Sequence, residues 1–130
     1  MCTEIFLPTN EDRTAVCCLS SVNLEHYDEW KDEPRFIDDV MEFLDNVLQY
    51  FIDHAPDAIV RARRSAERER SVGLGAMGLH AYFQKKGIPF DCALAKSINK
   101  QIFAHIQKCC AAADARLCAL RGPCPDAKAA

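Results

Sequence analysis

From Phe36 onward the apolar residues fall at Phe36, Ile37, Val40, Met41, Leu44, Val47, Leu48, Phe51 and Ile52. That three-then-four spacing puts them on one stripe of an α-helix, and such a stripe must be buried against something. Any fold for this chain therefore has to set a long helix on an apolar layer. Pro34 suits the first turn of this helix, and Pro56 should end it near His54 or Ala55, because proline lacks the amide that a helix interior needs.

Further helices are expected on both sides of a glycine-rich stretch. Asp57 to Glu69 reads as a second helix and Ser71 to Lys86 as a third, stopped by Gly87 and Pro89. The last opens after Asp91 as amino cap, carries Leu94, Ile98, Ile102, Phe103, Ile106, Cys110, Ala113, Leu117 and Leu120, and stops at Gly122. Ile5 to Leu7 and Thr14 to Leu19 read as short strands joined by the polar turn 9–13.

Arg61, Arg63, Arg64, Arg68 and Arg70, interleaved with Glu67 and Glu69, read as a solvated, ion-paired helix surface. The net charge is −3, so no basic stripe is available to displace counterions from a phosphate backbone, and direct nucleic-acid binding is not expected. No apolar run approaches the ~20 residues of a membrane span. The amino terminus offers neither the basic opening nor the apolar core of a signal peptide. The eight cysteines are therefore read as reduced thiols in a cytoplasmic setting rather than as a disulfide framework. Their spacings contain no Cys-x-x-Cys pair and match no zinc pattern, so no metal ligands are assigned.

Gly73-x-Gly75-x-x-Gly78 matches the dinucleotide-binding fingerprint letter for letter. That motif works only where a buried strand feeds the glycine turn, and here a charged helical run precedes it. The glycines are read as a thin helix surface for close packing. Cys109, Cys110 and Cys118 are read as packing residues, His80 as a hydrogen-bonded structural histidine, and Tyr27, Tyr50 and Tyr82 as packing aromatics.

Two segments carry chemistry. Met1-Cys2-Thr3-Glu4-Ile5 places a thiol and a carboxylate two positions apart, on one face of an extended strand, and Ala15-Val16-Cys17-Cys18-Leu19-Ser20 adds two thiols. Together with Arg68-Glu69-Arg70-Ser71-Val72-Gly73-Leu74-Gly75 and Gly122-Pro123-Cys124-Pro125-Asp126, these segments resemble the large, catalytic (α) subunit of class I, aerobic ribonucleotide reductases. The resemblance runs over essentially the whole chain. It implies a mixed α/β, mostly helical piece: two short N-terminal strands from a ten-stranded α/β barrel, then about four α-helices. In domain terms it implies part of a catalytic barrel over 1–130, with active-site loop and strands over 1–24 and a helical region over 34–122.

The resemblance further implies an oxidoreductase chemistry, the radical-based removal of the 2′-hydroxyl from ribonucleoside diphosphates for DNA precursor synthesis. Cys2 matches the cysteine that carries a transient thiyl radical, Glu4 the carboxylate that handles the 3′-hydroxyl proton, and Cys17 one of two thiols that reduce the substrate. Cys18 has no such role. The segment is expected to bind no cofactor. The radical would come from a diiron-tyrosyl small subunit, reducing equivalents from thioredoxin or glutaredoxin, and allosteric nucleotides would bind elsewhere. The second reducing thiol and the phosphate loop fall outside this stretch, so catalysis is expected only together with the remainder of the large subunit. A non-catalytic helical module that binds other parts of the reductase is the alternative; a stand-alone thiol redox protein is a third reading, disfavoured for want of a Cys-x-x-Cys pair.

Overall fold

The computed structural model describes residues 6–129. Two parallel strands, β1 (Cys18–Asn23) and β2 (Val72–Met77), pair in register from Cys18 opposite Val72 to Asn23 opposite Met77. Parallel strands need a long crossover, and here it holds α1 (Tyr27–Trp30), α2 (Phe36–His54) and α3 (Val60–Glu69). After β2 come α4 (Leu79–Lys85), α5 (Ala93–Arg121) and the short α6 (Pro125–Ala129). The mixed, mostly helical class stands.

The apolar stripe of α2 does what its spacing requires: Ile37, Leu44, Leu48 and Ile52 are buried along one side. Two clusters fill the interior. One gathers Val22, Leu24, Trp30, Ile37, Tyr82, Phe83, Ala95, Ile102 and Ile106 between β1 and the helices α1, α2, α4 and α5. The other sets Leu48, Ile52 and Ala66 against Val16, Cys18 and Val72, joining α2 and α3 to the start of the sheet. Charge then ties the helices together. Arg116 of α5 reaches Asp38 at 2.8 Å and Glu42 at 2.7 Å on α2. Asp45 of α2 takes Arg70 at 2.6 Å and also pairs with Arg121. Among the described residues, three of the five arginines of the run are ion-paired, each to an acid outside α3. Arg63 meets Asp57, Arg68 meets Asp126 and Arg70 meets Asp45.

Several boundaries differ from the sequence reading. The helix expected over 71–86 is a strand followed by α4, because Val72, Leu74 and Ala76 alternate with Gly73 and Gly75 at a period of two, and glycine is costly inside a helix. The expected strand over 14–19 starts later, at Cys18, and Phe6 and Leu7 lie in no strand; Ile5 is outside the described residues. Only one of the two strands is therefore N-terminal in sequence, and β2 interrupts the helical region expected over 34–122. Pro34 lies ahead of α2 rather than in its first turn. Cys92, not Asp91, caps α5: its Sγ accepts the Ala95 amide at 3.3 Å.

Candidate active-site face

Alternation along β1 divides its side chains between two faces. Val16 and Cys18 pack on the Leu48–Ile52–Ala66 cluster, and Val22 is buried in the larger core. Their parallel partners agree: Val72 packs on the smaller cluster, Leu74 and Ala76 on the larger one. The intervening residues Leu19, Ser21 and Asn23 must then face away from the helices, and Cys17 stands just ahead of the strand, between Val16 and Cys18, which both pack on the helix side. Gly73, Gly75 and Met77 stand beside Leu19, Ser21 and Asn23 on β2. Leu19 is 40% exposed and Met77 57% exposed, so this second face is not packed on the helices.

Cys17 is half-buried and lies immediately before the first paired residue. Cys18 points toward the helices. Burial pushes the Cys18 thiol up, and the neighbouring Cys17 adds to the effect, which favours the neutral thiol at this position. Gly73, which is buried, and Gly75 stand beside Leu19 and Ser21 and add no side chain to this face. The glycines thus serve a strand face and not the thin helix surface expected. With two of the three inside β2, they also lack the strand-then-turn geometry of a dinucleotide fingerprint.

At the carboxyl ends of the strands, where ligands of open α/β sheets usually sit, the chain is occupied with its own turns. Asn23 Oδ1 accepts the Glu25 amide at 3.1 Å, closing the 3₁₀ turn Leu24–His26, and Trp30 Nε1 donates to the Asn23 carbonyl at 3.2 Å. Gly78 joins β2 to α4 at φ 79°, and a Cβ there would collide with Asn23 Oδ1. Only glycine combines that backbone with that approach. Nothing local in the sequence marks this pair.

The remaining singled-out residues are accounted for by packing or surface contacts. Cys109 and Cys110 pack against the larger core as expected. Cys118 is exposed and lines a groove with Cys124, which corrects the expectation of a packed residue; its place near the end of α5 lies beyond the helix's last buried position, Ala113. His80 is exposed and meets the Phe90 ring edge-on in place of the expected hydrogen bond. Tyr82 is buried with its hydroxyl donating to Asp28, Tyr27 bonds His105 Nδ1 at 2.9 Å, and Tyr50 is exposed against His54. Cys2 and Glu4 lie outside the described residues. Among the described residues no group of three or more metal-ligating side chains converges, and no helix is long and apolar enough to cross a membrane.

The family model for the ribonucleotide reductase barrel domain matches residues 1–129. The chain belongs to this family. It is 50% identical over 127 residues to the ribonucleoside-diphosphate reductase large subunit of Invertebrate iridescent virus 6, covering 98% of this chain and 13% of that protein. It is 48% identical over 126 residues to the corresponding subunit of Invertebrate iridescent virus 3, covering 97% and 20%. The class Id ribonucleotide reductase alpha subunit of Actinobacillus ureae superposes with a TM-score of 0.92 at 39% identity, over 98% of this chain and 25% of that one. The chain thus spans a quarter or less of these reductase subunits, and within that span β1 and β2 are strands of the family's barrel domain.

Proposed function

We propose that this chain contributes the radical-bearing and reducing side of a ribonucleoside-diphosphate reductase active site. The observation that supports the reading is that Val16 and Cys18, on either side of Cys17, both pack on the helix side at the start of β1, within a stretch matched over residues 1–129 by the barrel family. In a closed barrel the opposite face would look inward, toward a substrate. Cys2 would take the 3′-hydrogen of the ribose as a thiyl radical and return it at the end. Glu4 would accept the 3′-hydroxyl proton. The 2′-hydroxyl would leave as water as Cys17 and a second thiol, from outside this stretch, give up two electrons and two protons and close a disulfide.

The groups that complete such a cycle are proposed partners of the whole subunit: the remainder of the large subunit, a small subunit that supplies the radical from a diiron-tyrosyl centre, and thioredoxin or glutaredoxin to reopen the disulfide. No cofactor site is assigned to this stretch, allosteric nucleotides are placed outside it, and a cytoplasmic setting suits a reduced thiol set.

Mixing the chain with the remaining parts of such a subunit and its small subunit, then measuring ribonucleoside-diphosphate reduction, tests the reading. Activity should appear with the native chain and vanish with Cys2→Ser or Cys17→Ser. Activity that survives both substitutions would favour the alternative helical module, for which the exposed Phe43, Val47 and Tyr50 on α2 supply an apolar docking stripe.

A further inference from the structure

Cys17 sits between two anchors of different kinds. On its carboxyl side the backbone enters the sheet at once, with Cys18 paired to Val72. On its amino side, residues 14–17 form no regular structure, so their course depends on discrete ties. Asn10 and Arg13 close a turn through backbone bonds of 3.0 and 3.3 Å, the Ala15 amide donates to Thr9 Oγ1 at 3.1 Å, and the Thr14 amide reaches the Arg61 carbonyl of α3 at 3.4 Å. The strong tie is Arg13. Its Nη2 lies 2.5 Å from Asp126 Oδ2 on α6 and 3.5 Å from Glu69 Oε1 at the end of α3.

Asp126 is the hub of this arrangement. One carboxylate oxygen takes Arg13, and the other takes Arg68 Nη2 at 2.7 Å, so a single acid holds two guanidinium groups. The Arg13 and Glu69 side chains are only 17% and 11% exposed, and Arg13 Nε is buried without a hydrogen-bond partner. A guanidinium withdrawn from water to that degree stays in place only while a carboxylate faces it. Remove the Asp126 charge and Arg13 is left with Glu69, at 3.5 Å, as its counter-charge.

We propose that Asp126 is a positioning residue for Cys17: by fixing Arg13 it fixes where the backbone enters β1, and so which face of the sheet the Cys17 sulfur occupies. The alternation that turns Cys17 away from Val16 and Cys18 holds only while both ends of the segment are fixed. α6 thereby acts on an active-site thiol more than a hundred residues away in sequence. The proposal rests on the reading of Cys17 as a reducing thiol, and its test is independent of catalysis.

The measurement is the site-resolved rate of iodoacetamide alkylation in the full chain, read by mass spectrometry. Asp126→Asn should raise the Cys17 rate about fivefold, as expected for loss of a charge-assisted tie on a locally opening segment, while Cys110, half-buried on α5, stays unchanged. Asp126→Glu should bring Cys17 back to within about twofold of native, and Arg68→Gln, which spares the Arg13 contact, should do the same. Arg13→Lys, which keeps the charge but loses the fork, supplies the same comparison if Asp126→Asn does not fold. An unchanged Cys17 rate, or Cys17 and Cys110 rising together, overturns the proposal. Retained activity of Cys17→Ser in the reconstituted enzyme would instead overturn the reading of Cys17 and leave the alkylation result standing.

Discussion

The two faces of the β1–β2 pair are made from the same twelve residues and built on opposite terms. Toward the helices stand Cys18, Ser20, Val22, Val72, Leu74 and Ala76, preceded by Val16, and all but Ser20 pack in two apolar clusters. Away from them stand Leu19, Ser21, Asn23, Gly73, Gly75 and Met77, with Cys17 just ahead of β1. Since backbone and register are shared, the contrast lies entirely in side chains. One face is chosen to exclude water and hold the strands at a fixed height over α2 and α3. The other carries small or polar residues beside the exposed Leu19 and Met77, and the first face holds it in register.

That contrast predicts unequal costs. Leu48→Ala, at a residue 1% exposed beneath the sheet, should lower stability by about 2–5 kcal/mol in urea denaturation, because a buried leucine leaves a cavity as well as lost transfer energy. Gly78→Ala should follow at about 1–3 kcal/mol, from strain at φ 79° and from displacement of the Asn23 side chain. Leu19→Ala, on the second face and 40% exposed, should cost less than about 1 kcal/mol. Were Leu19→Ala as damaging as Leu48→Ala, the two faces would not differ as described, and Cys17 would belong to a packed core.

How much of this was legible beforehand depends on how local each cause is. α2 and α5 were readable because a helix repeats its pattern over many turns, and Gly122 and Pro56 mark their ends. β2 was not. Its Val-Gly-Leu-Gly-Ala-Met run is short and apolar, which fits a strand or a helix equally, and the partner that decides for a strand lies beyond α2 and α3. The sequence reading starts β1 at Thr14, ahead of the paired strand at Cys18, because Val16 and Cys18 alternate as strand residues would although residues 14–17 form no ladder. The Arg13–Asp126 tie has no local signature, because it joins a turn near the amino end to α6, which only the finished fold brings together. The role proposed for Cys17 rests on family likeness, and the tie proposed to fix its face has no pattern in the sequence around it.

A smaller test asks whether charge at the carboxyl end of the sheet adds to what the apolar face supplies. Asp28 on α1 receives Lys86 Nζ at 2.5 Å from the end of α4 and Lys31 Nζ at 2.9 Å, and the Tyr82 hydroxyl donates to it at 3.3 Å. The hydrogen bonds from Lys86 and Lys31 hold its carboxyl at about 2, below the ordinary 3.8. A depressed folded-state pKa means the ionised carboxylate favours folding. The contribution is present in full above the unfolded value and is lost as pH falls from about 4 toward 2. Because the side chain is 35% exposed, solvent screening keeps the effect to about a few tenths of a kcal/mol. Asp28→Asn should therefore lower the urea midpoint slightly at pH 6 and by only a small part of that at pH 2, with the gap closing in 1 M salt as the exposed pair is screened. A gap that persisted in full at pH 2 would assign the loss to the Tyr82 hydrogen bond and the packing around it, and the apolar face alone would then account for the stability of the sheet.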